Sequence, residues 1–485
     1  MADEIHFMTI SELSRLIAAR KLSPVDLVQM YLDRVSTLDT PPFPLPNEPQ
    51  ANPGPKLASV ITVAAERAIA RAKVVEREIQ SGRVRGPLHG VPYGVKDLLD
   101  TKGIRTTWGS RIFADRVPER DATVVEKLDA AGAILMAKMA LAEFAGGNTS
   151  TALNPWKLDR ATMGSSSGTV VGTIAGLIVF GIGTETGGSI VLPAATCGAS
   201  GLRPTFGRVS RFGCMALSWS LDKIGPIARC AADCGLVLEA IAGHDPKDLS
   251  TADRPFTFRP DPGKMAGRKI GVHRPEFDAV QVPHNRAVFD KALDVFRQVG
   301  AVVEDIAMPD RPYGEVFSNI TNVEGGAIFK PLFEDKRIGR MFRYNWSRRA
   351  EWLAGTMAPA SDYITAQRIR QMIVMDADAL FSKYAAVIAP TNGTGAPLRD
   401  TPVQPPVPTL RPPSTARRIP RLNSVGNLAG LPGINIPVGF DADDMPLCIQ
   451  IVSGAWQDQA ALDVAMAFQK ETDWHKRRPS YPYRA

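Results

Sequence analysis

The stretch Gly181-Ile-Gly-Thr-Glu-Thr-Gly-Gly-Ser189 puts a serine at the end of a glycine-rich turn, behind a short apolar run, Leu177 to Gly181, that reads as a strand. Consecutive glycines let neighbouring backbone N–H groups converge, because no Cβ blocks the dihedrals this requires. The N–H groups of Thr186, Gly187, Gly188 and Ser189 form a candidate anion-binding nest. A hydroxyl on such a nest suits acyl transfer: it attacks a carbonyl while the nest holds the oxyanion. The same residues also read as a tight turn with a capping serine. A second run, Met163-Gly-Ser165-Ser166-Ser167-Gly168, opens a helix of small residues, Thr169 to Ala175, and serines in that position commonly act as caps. Gly164 to Gly168 also spells G-x-S-x-G around Ser166. That motif needs a strand directly before it, and residues 154–160 read as a loop, so an elbow at Ser166 is rejected. Third, Val91 to Val95 reads as a strand that delivers Lys96 into an apolar stretch. Burial disfavours the ammonium, and a neutral lysine can act as a base. For a lysine taken alone, a surface pair with Asp97 or Asp100 is the better reading.

Several elements must position these groups. Thr9 and Glu12 have the spacing of a capping box for a helix over residues 9–20. Ser23-Pro24-Val25-Asp26 starts a second helix, with Leu27, Val28, Tyr31, Leu32 and Val35 on its buried face. Residues 41–55 hold seven prolines and read as an extended insert before a helix at roughly 63–81. From 86 to 235 short apolar runs alternate with Gly- and Ser-rich turns. Lys269 to Val272 and Ala301 to Ile306 read as strands around a helix at 285–299, and residues 312–383 read as mostly helical. Tyr384 to Pro390, Leu431 to Val438 and Leu447 to Val452 are strand-like, residues 396–420 are a second Pro-rich loop, and a helix at about 457–471 closes the chain. This alternation predicts the α/β class.

Composition narrows the function classes. Apolar residues make up 44 % and charged residues 22 % of 485, as in a soluble globular protein. The net charge of +7 (pI near 9.1) is scattered, with no basic stripe interleaved with aromatics, so no nucleic-acid partner is expected. No apolar stretch is long enough to span a membrane, and residues 1–21 do not form a signal peptide. The five cysteines fit no disulfide framework or zinc spacing, and they read as reduced thiols of a cytoplasmic protein.

Together and in this order, Gly94-Val-Lys96-Asp97, the Gly-Ser-Ser-Ser-Gly run and the Thr-Gly-Gly-Ser-Ile run resemble the amidase signature family. The serine separation, 189 − 165 = 24, fits that family's register and selects Ser165 from its run. Asn154-Pro155-Trp156, Gly201-Leu-Arg-Pro-Thr-Phe-Gly-Arg-Val-Ser210, Ser220-Leu-Asp-Lys-Ile-Gly-Pro226 and Asn427-Leu-Ala-Gly-Leu-Pro-Gly433 extend the likeness over nearly the whole chain. The resemblance implies one large domain over 1–485 with a central mixed, twisted β-sheet flanked by helices on both faces. Its parts are N-terminal helices and insert (1–85), signature core (86–235), variable pocket region (245–420) and closing strands and helix (421–485).

The resemblance further implies hydrolysis of a C–N acyl bond through a Ser–cis-Ser–Lys triad. Ser189 is the nucleophile, Ser165 the relay behind a cis Gly164–Ser165 peptide, and Lys96 the base. Thr186, Gly187, Gly188 and Ser189 form the oxyanion hole. Phe144, Ala145, Gly146, Gly147, Met163 and Gly164 border the acyl pocket, and Phe317, Phe342, Tyr344 and Trp346 are expected to shape it. It implies no metal and no cofactor, a small-molecule amide, anilide or carbamate substrate, and a monomer or homodimer. Two alternatives stay open on the same scaffold: the glutamine-cleaving A subunit of a tRNA-dependent amidotransferase, and a carbamate or ester hydrolase. At the nucleophile many members read Asp-Thr-Gly-Gly-Ser-Ile-Arg. This chain reads Glu185-Thr-Gly-Gly-Ser-Ile-Val191, so an ion pair through that arginine is absent, and the pattern resembles some peptide and aryl amidases. Met163 stands where a small residue is common. Of the six histidines only His89 lies near a motif, and it is expected to pack in its turn.

Overall fold

The computed structural model describes residues 2–39, 57–147, 152–263, 265–342, 346–399 and 421–480. The insert at 41–55 and most of the 396–420 loop therefore lie outside the described residues. In chain order the strands are β1 (Val60–Val63), β2 (Pro92–Lys96), β3 (Ile134–Met139), β4 (Phe180–Glu185), β5 (Ser200–Arg203), β6 (Lys223–Ala228), β7 (Lys269–His273), β8 (Val302–Ile306), β9 (Ala386–Pro390), β10 (Gly433–Phe440) and β11 (Pro446–Val452). They form one mixed sheet in the order β1-β3-β2-β4-β6-β5-β10-β11-β9-β7-β8, flanked by helices. Strand β2 runs parallel to both β3 and β4, while β4 is antiparallel to β6. Every residue of β2, β3, β4 and β6 is buried, which explains their continuous apolar and small-residue texture.

Local chemistry accounts for the helix ends. Thr9 and Glu12 make the reciprocal capping box on the helix Ile10–Ala18. The Ser23 hydroxyl accepts from the N–H groups of Val25 (3.1 Å) and Asp26 (3.3 Å) to start the helix Pro24–Leu38. The helix Ser167–Ile174 is buried on every side, which its small residues permit. It ends at Gly176 in the left-handed conformation (φ +70°), and the N–H groups of Leu177 and Ile178 return to the Gly172 carbonyl. This closure consumes the first residues of the apolar run expected to be a strand, so β4 starts at Phe180 and carries on to Glu185. Strand β1 stands ahead of the helix Ala65–Gln80, in a stretch where the sequence pattern predicts the helix alone.

Candidate active site

Strands β2 and β4 are neighbours, and their C-terminal ends deliver Lys96 and the Glu185–Ser189 turn side by side. Lys96 is fully buried. Its Nζ donates to Ser165 Oγ at 2.7 Å and to Thr184 Oγ1 at 2.8 Å. Asp97 and Asp100 do not pair with it. Asp97 faces the equally buried Lys138 (3.4 Å) and the Thr107 hydroxyl (2.7 Å), and Asp100 pairs with Arg116 (2.8 Å). Burial pulls the Lys96 ammonium down to about 7 against the opposing influence of Cys214, Asp222 and Glu185. The Cys214 thiol is itself pushed up to about 12 by burial, so it stays neutral and only the two carboxylates oppose in practice.

Ser165 follows a cis peptide bond, Gly164–Ser165, and is fully buried. Its run is docked on the chain just past β3: Ser165 C=O accepts from Ala142 N–H (3.2 Å) and Gly168 N–H donates to Ala140 C=O (2.9 Å). A Cβ on Gly168 would stand 2.4 Å from both Ala140 N and Ser59 O, so this approach requires glycine. Ser166 occupies a different role from an elbow nucleophile. Its hydroxyl is buried between the carbonyl and N–H of Thr184 (3.1 and 3.3 Å), and its own N–H donates to Ser189 C=O (3.1 Å).

Ser189 is half-buried and lines a cleft of about 210 Å³ together with Thr186, Gly187 and Gly188. Gly188 adopts φ +132°, a conformation side chains rarely take. Among the described residues, no acceptor takes the N–H groups of Gly187, Gly188 or Ser189. The turn is anchored from its flanks. Glu185 accepts from the N–H groups of Ile190 (2.8 Å) and Val191 (2.9 Å), Asn423 donates to Gly187 C=O (3.0 Å), and the Thr186 hydroxyl donates to Asp222 (2.6 Å). Val191 offers Glu185 no cation, but Arg203 at the end of β5 does, at 2.7 Å, with both side chains fully buried. Burial drives the Glu185 carboxyl upward, and Arg203 and Lys223 outweigh it, leaving the carboxyl below its ordinary range.

Ala145, Gly147 and Gly164 line the cleft beside Ser189. Phe144 lies beneath the wall instead: its backbone turns to φ +54°, and its fully buried ring packs with Phe113, Phe329 and Trp352. Gly146 is buried against Arg348 and Trp352, and Met163 is half-buried outside the lining of the cleft. Phe317 is a lining residue, its ring so close over Gly187 that a Cβ there would meet it at 2.2 Å. Phe342 is buried behind Arg111, Trp346 is exposed at the head of its helix, and Tyr344 lies outside the described residues. Among the described residues of the lining, Arg348 is the charged side chain. It pairs with Glu351 (2.9 Å) and donates from Nε to Gly146 C=O (3.3 Å). Arg203, Asp222, Asn423 and Arg348 are not among the residues that the sequence predicts for the site. The first two stand in stretches that carry the family likeness, but only the sheet order brings them to the turn.

His89 is buried and tied to Glu78 (3.0 Å), away from the serines. The five cysteines are unpaired. No described helix is long and apolar enough to cross a membrane.

The sequence model of the amidase family matches residues 51–462. The A subunit of glutamyl-tRNA(Gln) amidotransferase from Moorella thermoacetica is 34 % identical, the match covering 98 % of this chain and 99 % of the relative. Its counterpart in Carboxydothermus hydrogenoformans matches at 34 % with the same coverage. Among solved structures, native peptide amidase from Stenotrophomonas maltophilia is similar at TM-score 0.82 and 29 % identity over 98 % of each chain. The A subunit of glutamyl-tRNA(Gln) amidotransferase from Thermotoga maritima is similar at TM-score 0.74 and 26 % identity, covering 96 % of this chain and 95 % of that one.

Proposed function

The chain belongs to the amidase family and is a hydrolase of non-peptide C–N bonds, and from that premise we propose that it cleaves amides through an acyl-enzyme on Ser189. The observation that carries this reading is the buried 2.7 Å contact between Lys96 and Ser165, set behind a serine whose turn offers free N–H groups to a cleft. Ser189 attacks the carbonyl carbon and passes its proton through Ser165 to neutral Lys96. The oxyanion is held by the N–H groups of the 186–189 turn. As the tetrahedral adduct collapses, the proton returns through Ser165 to the departing nitrogen. Water then attacks the ester on Ser189 by the same proton route, and the acid leaves.

A hydrolysis screen over primary amides, anilides, carbamates and esters, run beside Ser189→Ala, tests the reading. Turnover should fall at least about 10⁴-fold in the variant, and labelling by a fluorophosphonate probe should vanish. A variant that keeps its turnover would remove Ser189 from the mechanism.

The curated relatives favour a second reading of the same chemistry, in which the amide is glutamine and the chain works as the A subunit of an amidotransferase. The likeness to a peptide amidase and the Glu185/Val191 pattern support a stand-alone enzyme acting on small molecules; under this reading it works in the cytoplasm as a monomer or homodimer. Ammonia release from glutamine by the purified chain, measured with and without the other amidotransferase subunits, separates the two. Strong glutaminase activity that appears only in the complex selects the second reading.

A further inference from the structure

Asp222 takes no part in the proton route, yet it is tied to the oxyanion turn. It lies at the mouth of β6, where it lines a second cavity of about 220 Å³ that adjoins the catalytic cleft at Ala145, Thr186 and Leu217. One of its carboxylate oxygens accepts from the Thr186 hydroxyl at 2.6 Å. The other accepts from the N–H groups of Leu217 (2.7 Å) and Ser218 (2.9 Å), and Leu217 is a wall of the catalytic cleft. Capping the 217–218 loop needs only the second oxygen, so the bond to Thr186 has a separate role. Gly187 and Gly188 have no side chains to fix the turn, so its shape depends on such ties at the flanks.

The 217–222 loop is in turn clamped by the variable region. Glu324, on the helix Tyr313–Glu334, accepts from the Ser218 hydroxyl (2.5 Å), the Ser220 N–H (3.1 Å) and the Tyr363 hydroxyl (2.7 Å). Arg370, on the helix Ala360–Phe381, donates to Ser220 C=O (2.9 Å). We propose that Asp222 is a positioning residue for the hydrolytic reaction, fixing the oxyanion turn through Thr186 and transmitting to it the seating of the two variable-region helices. This rests on the acyl-enzyme reading above.

The test uses the full chain and a primary amide that the wild-type enzyme hydrolyses. Asp222→Ala should lower kcat by about tenfold to a hundredfold, the loss expected when an oxyanion donor is displaced, with KM within about twofold. Thr186→Val should act in the same direction. The double variant should be no slower than the slower single one, because both remove one interaction. Asp222→Asn can still bridge Thr186 and the loop, and it should keep kcat within about fivefold. Its acid limb of kcat/KM should move to lower pH. Lys96 is faced by Asp222, Glu185 and the neutral Cys214, with the Ser165 and Thr184 hydroxyls in contact; beyond Glu185 lie the Arg203 guanidinium and Lys223, whose ammonium burial pulls well below its ordinary range. Removing an anion from that set makes Lys96 easier to deprotonate.

An unchanged kcat in Asp222→Ala, or losses that multiply in the double variant, would overturn the proposal. So would an Asp222→Asn variant that loses kcat as heavily as Asp222→Ala. Should Asp222→Ala not fold, Thr186→Val and Asp222→Asn carry the same test. Failure of the acyl-enzyme reading is distinguishable, because it appears as turnover in Ser189→Ala whatever Asp222 does.

Discussion

Lys96→Met should cost activity and add stability. An ordinary lysine, at 10.5, is neutral in about one molecule per thousand at pH 7.5, whereas one held at about 7 is neutral in about three-quarters of them. Burial thus raises the population of the neutral amine nearly a thousandfold, and under the proposed role of Lys96 as base its loss should lower kcat/KM by at least about 10³. The same burial weakens the fold. The folded value lies below the unfolded one, so between about 7 and 10.5 the unfolded chain binds the extra proton. Stability therefore rises with pH through that window, and the whole penalty is present below it. At pH 7.5 the penalty is about 4 kcal/mol. Methionine abolishes it and forfeits the donations to the Ser165 hydroxyl, the Thr184 hydroxyl and the Thr184 carbonyl, at about 1 kcal/mol each. The balance is a gain of about 1 kcal/mol. Urea unfolding of both proteins at pH 7.5 and 10 reads it, and wild-type kcat/KM from pH 5.5 to 9.5 should climb through an inflection near 7. A variant no more stable than the wild type, together with a flat wild-type rate profile from pH 6 to 8, would refute the desolvated base.

The buried Arg203–Glu185 pair predicts a loss of about 3–5 kcal/mol in Arg203→Met, because the carboxylate is left in the core without its cation; an unchanged urea midpoint would contradict this. Gly168→Ala forces a methyl against the Ala140 and Ser59 backbones. It should destabilise by about 1–3 kcal/mol and slow turnover by displacing the Ser165 run, both measurable on the purified variant. Arg348→Met should raise KM for an amide bearing a carboxylate about tenfold more than for its neutral counterpart, which a matched substrate pair would report.

Signals that sit in one stretch of chain are readable from the sequence. Thr9 with Glu12, and Ser23 with Pro24, announce their helices because a cap and its target N–H lie within three residues. The order of Lys96, Ser165 and Ser189 carries the family likeness for the same reason: each sits in a compact motif. Strand β6 does not announce itself, because Gly225 and Pro226 interrupt Lys223-Ile-Gly-Pro-Ile-Ala as local breakers. Burial between β4 and β5 makes it a strand all the same. Phe144 is expected at the pocket surface, and a positive φ that no pattern reveals turns its ring under the wall. Arg203 stands in the sequence only as part of a flanking likeness. Its partnership with Glu185 arises because β5 and β4 both pair with β6, information held by sheet order alone.

That order bears on when the enzyme can first work as it is made. Strands β10 and β11, which lie late in the chain, occupy the middle of the sheet between β5 and β9. Asn423, which braces the turn at Gly187, and Leu431, whose carbonyl accepts from Arg203, lie just ahead of them. A nascent chain that has emerged only as far as residue 400 already contains Lys96, Ser165 and Ser189. It also exposes two open strand edges and lacks the Asn423 brace of the turn. Such a chain is the species most prone to edge-to-edge association. Full bracing of the Ser189 turn thus waits for insertion of the β10–β11 hairpin, so a ribosome paused before it holds a chain with Lys96, Ser165 and Ser189 present and the turn braced on one side only.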